Sequence, residues 1–169
     1  MASPHEHDPA TAAGAFDPRH YDQICFACGD RNAHGLHMRF ELDPEGPAGA
    51  VLCRYQPREA DQGFPGVLHG GVLSTLMDEA MAWAMWAKSR ALGVTAKMDV
   101  RYRQPVTYPS ESVVHAVVAE ERGRRMRVEA AIASLEGSVL VESSALFLRL
   151  PPEEEQRVAD ALGWAQIYR

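Results

Sequence analysis

The stretch Gly66-Val67-Leu68-His69-Gly70-Gly71, continued by Val72-Leu73-Ser74-Thr75-Leu76-Met77-Asp78-Glu79-Ala80-Met81-Ala82-Trp83-Ala84-Met85-Trp86-Ala87, sets a His-Gly-Gly turn ahead of an almost wholly apolar segment. Leu, Met, Ala and Trp recur on nearly every face of a 3.6-residue period, which predicts a helix buried around most of its circumference. The glycines bound it, from about Gly70 to near Gly93. An ionised side chain inside such a helix is costly unless something there uses it. Asp78 and Glu79, adjacent carboxylates in its middle, are therefore candidate site residues.

Working outward, Leu36, Met38, Phe40 and Leu42 alternate with His37, Arg39 and Glu41, a period of two that predicts a half-buried strand over 36–42. Pro44-Glu45-Gly46-Pro47 makes a turn, residues 48–55 return as a strand, and residues 57–68, punctuated by Pro57, Gly63, Pro65 and Gly66, form a loop. After the helix, four strands are predicted over about 94–103, 112–121, 126–135 and 139–149, separated by Pro105/Pro109, Gly123 and Gly137. A polar helix over about 152–165 follows. Strands around one apolar helix bury it only if an antiparallel sheet curls over it, an α+β architecture. The open sheet edges and helix flank would be covered by a second protomer.

A length of 169 residues with 46% hydrophobic and 24% charged residues fits one domain with a real core. The net charge of −6 argues against a nucleic-acid partner. No apolar run approaches the roughly 20 residues needed to span a bilayer, and the first twenty residues carry no apolar signal segment, so a cytoplasmic protein without membrane association is expected. Three cysteines, two of them three apart, fit a reducing compartment better than a disulfide framework.

Three landmarks stand in order: Cys25-Phe26-Ala27-Cys28-Gly29 with Asn32 and Gly35-Leu36, the run from His69 to Asp78, and the segment from Thr95 to Val106. Together they resemble the hotdog-fold acyl-CoA thioesterase superfamily, nearest its phenylacetate-pathway and THEM-type branch, over residues 23–150. The resemblance implies an antiparallel sheet wrapped around one long buried helix, in a homodimer or a dimer of dimers. Residues 1–19 would be a flexible arm, 20–150 the thioesterase domain and 151–169 a helical tail. It also implies an acyl-CoA substrate hydrolysed to free acid and coenzyme A, with no cofactor. By similarity, Asp78 takes the acidic position, as general base towards water or as nucleophile on the acyl carbon. His69 and the Gly70 amide would polarise the thioester carbonyl, and Thr95 would bind and orient the water. Some relatives carry Ser or Thr one turn after the acid; here that position is Ala82, so Thr75 or Thr95 must supply the hydroxyl.

The residues bear their own reading. Gly70 and Gly71 sit where the first helical amides lack intrahelical partners and the dipole is positive, a place that can hold an oxyanion. They equally permit a tight entry turn. Asp78 lies eight residues beyond Gly70, about 12 Å along a helix, whereas a carboxylate acting on the same thioester must come within about 3 Å of it. If both act, they come from different chains. Glu79 points about 100° away round the helix, towards a salt bridge or the substrate mouth.

The strand Thr95, Lys97, Asp99, Arg101, Arg103 alternates with Ala96, Met98, Val100 and Tyr102, giving one polar, partly basic face. Coenzyme A ends in phosphates, so Arg101, Arg103 and the Arg122-Gly123-Arg124-Arg125 turn are candidates for its mouth. The acyl group would lie against Phe64, Met77, Met81 or Trp83. Cys25-x-x-Cys28 with His34 and His37 nearby could be read as zinc ligands, but a single C-x-x-C supplies only two of the four that zinc needs, so the cysteines read as structural, near the site entrance, with no metal. Two rival functions are a hotdog enoyl-thioester hydratase or dehydratase and a non-catalytic acyl-CoA binding module.

Overall fold

The computed structural model describes residues 14–167. The His-Gly-Gly turn opens helix α1 (Gly70–Ser89) with His69 as its N-cap, and Arg90, in the left-handed region at φ 53°, closes it before Gly93 is reached. Around it run β1 (Glu41–Leu42), β2 (Val51–Tyr55), β3 (Gln62–Phe64), β4 (Val67–Leu68), β5 (Gly93–Tyr102), β6 (Ser112–Arg122), β7 (Arg125–Ser134) and β8 (Val139–Arg149), followed by α2 (Pro152–Ala161). Six strands form one antiparallel sheet in the order β1-β2-β6-β7-β8-β5, and β3 with β4 makes a small hairpin before α1. No helix among the described residues is long and apolar enough to cross a membrane.

The period-two pattern of the last strands does the folding work. Val114 and Ala116 of β6, Met126, Val128, Ala130 and Ile132 of β7, and Val141, Ala145 and Phe147 of β8 are buried on one side of the sheet. They share one core with Leu73, Leu76, Met77, Ala80, Met81 and Ala84 of α1. At the far end of α1, Trp83 stacks on Tyr21 and Phe40, with ring centroids 5.1 and 5.2 Å away.

Three expectations are corrected. The segment 36–42 buries Leu36, Met38 and Phe40 as its alternation requires but leaves Leu42 exposed, and only Glu41–Leu42 is a strand. Its amides bond elsewhere: Leu36 N–H to Phe26 O at 2.8 Å and Met38 N–H to Ala27 O at 2.9 Å, so the segment is tied to the cysteine loop. The loop 57–68 holds a 3-10 turn, Glu59–Asp61, and the β3–β4 hairpin. Residues 14–19, assigned to the flexible arm, are held in place although mostly exposed: Gly14 O accepts the Leu42 N–H at 2.9 Å, the Phe16 ring lies 4.7 Å from Trp83, and Pro18–Tyr21 is a 3-10 turn ending in buried His20 and Tyr21. The rest of the arm, residues 1–13, lies outside the described residues. The tail is anchored too, with Trp164 buried 5.5 Å from Trp83.

Thr95 departs from the alternation read in β5. It pairs with Phe147 while Lys97 pairs with Leu146, so the register shifts between them and β5 carries one extra residue, a β-bulge. Phe147 faces the core, and cross-strand partners share a face. The bulge therefore moves Thr95 from the polar face to the helix side.

Candidate active site

The start of α1 is built by a chain of local bonds. Asp61, 2% exposed, accepts the Tyr55 hydroxyl at 2.6 Å, the Arg58 amide at 2.7 Å and an Arg58 guanidinium nitrogen at 2.7 Å. Its backbone carbonyl takes the His69 N–H at 2.9 Å, fixing the residue that caps the helix. Burial works against ionisation of Asp61, but hydrogen bonds from Arg58 and Tyr55 outweigh it and hold the carboxyl below its ordinary 3.8. Asp61→Ala is expected to destabilise the fold by about 2 kcal/mol in urea unfolding, since it leaves the buried Tyr55 hydroxyl without its acceptor while Arg58 stays partly solvated. A carboxyl with a depressed folded pKa stabilises above its unfolded value. Asp61's contribution is therefore expected to be complete above about pH 5 and lost as pH falls through the unfolded and then the folded value.

His69 Nδ1 accepts the Gly71 N–H at 2.9 Å, so the neutral ring carries its proton on Nε2. Gly71 thereby anchors the histidine and its amide is no longer a second oxyanion donor, a correction to its assignment. The Gly70 N–H, by contrast, has no acceptor among the described residues. Tyr102, which sequence reasoning left unassigned, donates from its hydroxyl to Gly70 O at 2.9 Å and lies 2.8 Å from Ser74 Oγ, which bonds the same carbonyl at 3.0 Å. The place of Tyr102 with Met98 and Val100 on the apolar side of the β5 alternation was the signal available. A cleft of about 620 Å³ opens here between Phe64, His69, Gly70, Tyr102 and Arg103.

Asp78 is half-buried on the other part of α1 and accepts the Thr95 hydroxyl, Oγ1 to Oδ1, at 2.6 Å. Gly71, Thr75, Asp78 and Ala82, at helical spacing, form a stripe that the chain itself does not bury. Thr75 spends its hydroxyl on Gly71 O at 2.9 Å, leaving Thr95 as the hydroxyl partner of the acid.

The other candidates separate. Phe64, 79% exposed, and Arg103 border the cleft, and Arg103 pairs with Glu142 at 2.6 Å. Arg101 lies instead in a second cleft, with His115, Glu129, Glu142 and Ser144 on the outer side of the sheet. The Arg122–Arg125 turn sits where β5 starts, because Arg125 and Val94 both pair with Leu148, whereas the first cleft lies where β5 ends. Met77, Met81 and Trp83 are core residues, 0 to 2% exposed, because their side of α1 faces the sheet or the aromatic cluster. Glu79 turns away from Thr95: Trp83 Nε1–H donates to its Oε1 at 3.0 Å, Cys25 Sγ lies 3.7 Å from its Oε2, and burial pushes it up to about 7.

Residues 65–141 match the sequence model of the thioesterase superfamily. The chain is 30% identical over 121 residues to acyl-coenzyme A thioesterase THEM4 of Rattus norvegicus, covering 71% of this chain and 52% of that protein. To THEM4 of Mus musculus it is 33% identical over 94 residues, covering 55% and 40%. The chain thus spans about half the length of the curated relatives it matches. Among solved structures it is similar to a thioesterase superfamily protein with a TM-score of 0.68 and 25% identity, covering 84% of this chain and 70% of that one. A hypothetical thioesterase from Streptococcus pneumoniae TIGR4, solved with coenzyme A, superposes with a TM-score of 0.62 at 16% identity, covering 78% and 94%. The segment that matches the thioesterase superfamily contains the His-Gly-Gly turn, Asp78 and Thr95, and it lies in a curled antiparallel sheet around one long helix: the chain has the hotdog fold and is similar to thioesterase superfamily proteins.

Proposed function

We propose that this protein is an acyl-CoA thioesterase that hydrolyses a coenzyme A thioester at sites shared between two protomers. The observation that carries the reading is the Asp78–Thr95 pair, 2.6 Å apart, on the uncovered stripe of α1. About 12 Å of helix separates it from the cleft at Gly70. Two copies packed antiparallel through this stripe, with the open edge strand β5 beside it, would bring Asp78 of one chain to the Gly70 end of the other. The half-exposed Val94 and Tyr102 on that edge fit a surface meant to be covered.

In such a site the thioester carbonyl meets the Gly70 N–H and the His69 Nε2–H, where the developing oxyanion is stabilised. Asp78 acts opposite them, as base towards water or as nucleophile on the acyl carbon. With Gly71 holding Nδ1, the ring keeps one tautomer and presents one donor. The THEM4 relatives are named acyl-coenzyme A thioesterases and the Streptococcus pneumoniae neighbour was solved with coenzyme A, which supports the substrate class. A screen of short, long and aromatic acyl-CoAs, reading the released thiol, tests the activity; no turnover on any of them would favour a binding module.

Thr95→Val keeps the shape of the side chain and removes the donor to Asp78. It is expected to lower kcat about ten- to a hundredfold, the worth of one hydrogen bond to a charged group. Thr95→Ser should recover most of the rate, and steady-state kinetics on the best substrate of the screen checks both.

A further inference from the structure

Cys25-Phe26-Ala27-Cys28-Gly29 folds into a tight knuckle in which the Ala27 N–H donates to Cys25 Sγ at 3.4 Å and the Gly29 N–H to Cys25 O at 3.0 Å. A Cβ on Gly29 would stand 2.6 Å from Cys25 N, so only glycine lets the turn close this tightly. The knuckle brings both sulfurs against α1, and α1 supplies the ligand that the sequence alone did not reveal. Glu79 Oε2 lies 3.7 Å from Cys25 Sγ, and the three ligand atoms of Cys25, Cys28 and Glu79 all fall within 4.8 Å of one another.

We propose that Cys25, Cys28 and Glu79 bind one zinc-type divalent cation, which clamps the cysteine knuckle to α1. Around tetrahedral zinc, with bonds of about 2.0 to 2.3 Å, neighbouring ligand atoms stand roughly 3.5 to 3.8 Å apart. The cluster reaches that geometry by closing about 1 Å. Two thiolates and one carboxylate suit a borderline-soft cation and disfavour magnesium or calcium, which take oxygen ligands.

The surroundings resemble an outer coordination layer. Trp83 Nε1–H holds Glu79 Oε1 at 3.0 Å, leaving Oε2 towards the sulfurs, and Gln23 Nε2–H donates to Cys28 Sγ at 3.5 Å and to His20 O at 2.9 Å. The carboxylate takes these bonds from Trp83 and Cys25 rather than from an arginine or lysine. Cys25 is only partly buried, which leaves a path for the cation and a fourth position for water. Because Phe26 O and Ala27 O also hold Leu36 and Met38, the clamp would fix residues 25–38 beside the helix that carries Asp78. The C-x-x-C motif offers two ligands, too few for a metal, and the fold adds Glu79 as the third.

The test uses the reduced, tag-free full chain, stripped with a chelator and titrated with cobalt(II) and zinc(II). The expected result is one cobalt per chain with a thiolate-to-cobalt charge-transfer band that zinc abolishes, and no such band in Cys25→Ser or Cys28→Ser. Glu79→Gln keeps the acceptor for Trp83 and both thiols. It should weaken zinc binding at least about tenfold, measured against a chromogenic chelator. Circular dichroism reports folding of each variant, and if a serine variant unfolds, protection of Cys25 from alkylation by zinc in the wild-type chain replaces it. No charge-transfer band in the wild type, binding without that band, or a zinc affinity unchanged by Glu79→Gln overturns the site. None of these readouts depends on thioester hydrolysis, so the outcome is separate from that of the proposed activity.

Discussion

Asp78→Asn is expected to lower the rate of acyl-CoA hydrolysis by about 10²- to 10⁴-fold or more while the protein stays folded. The amide keeps the size of the carboxylate and can still accept the Thr95 hydroxyl now found 2.6 Å away, so packing around α1 has little reason to change. What disappears is the charge that takes a proton from water or attacks the acyl carbon. Release of coenzyme A thiol gives the rate, and circular dichroism with a urea melt confirms the fold. Turnover at the wild-type level in Asp78→Asn would remove Asp78 from the chemistry. Attention would then pass to the His69 end of the helix, since Glu79 is engaged with Trp83 and the cysteine loop.

The second large effect is a recovery. Asp78→Asn and Gly70→Pro are each expected to be inactive alone and active when mixed, because in one helix the two positions are about 12 Å apart and no side-chain motion closes that distance. Proline suits the role here: Gly70 is the first residue of α1, where proline is tolerated and where the only group lost is an amide. A Cβ at Gly70 would meet Tyr102 no closer than 3.4 Å, an ordinary contact. After random exchange at equal amounts, about half the dimers are mixed and each has one intact and one doubly damaged site. Activity should approach about a quarter of wild type. Mixtures shown by native mass spectrometry to contain heterodimers, yet as inactive as the parents, would rule out shared sites.

Much of the fold was legible because it depends on local periodicity. The apolar run from Val72 onward becomes α1, and the alternations in 112–122, 125–134 and 139–149 become β6, β7 and β8 within a residue or two of their expected ends. The segment 36–42 exposes the limit. Its alternation correctly marked Leu36, Met38 and Phe40 as buried, but alternation reports a buried face and not a hydrogen-bond partner. Its amides went to Phe26 and Ala27, residues no local pattern connects to it.

The candidate site divides in the same way. The residue types at Asp78, His69 and Gly70, and the helical rise that keeps them about 12 Å apart, belong to the sequence and to helix geometry. That Thr95 reaches Asp78 belongs to the register of β5 against β8, where one extra residue at the bulge turns it from the solvent face to the helix. That the Gly71 amide is spent on His69 follows from the conformation of the cap, and that Glu79 stands 3.7 Å from a cysteine 54 residues away follows from how the knuckle packs on α1. A sequence fixes which groups are available and their spacing along one element. Contacts between elements are set by strand register and by packing across the core, where a shift of one residue moves a side chain to the opposite face, and only the tertiary structure decides them.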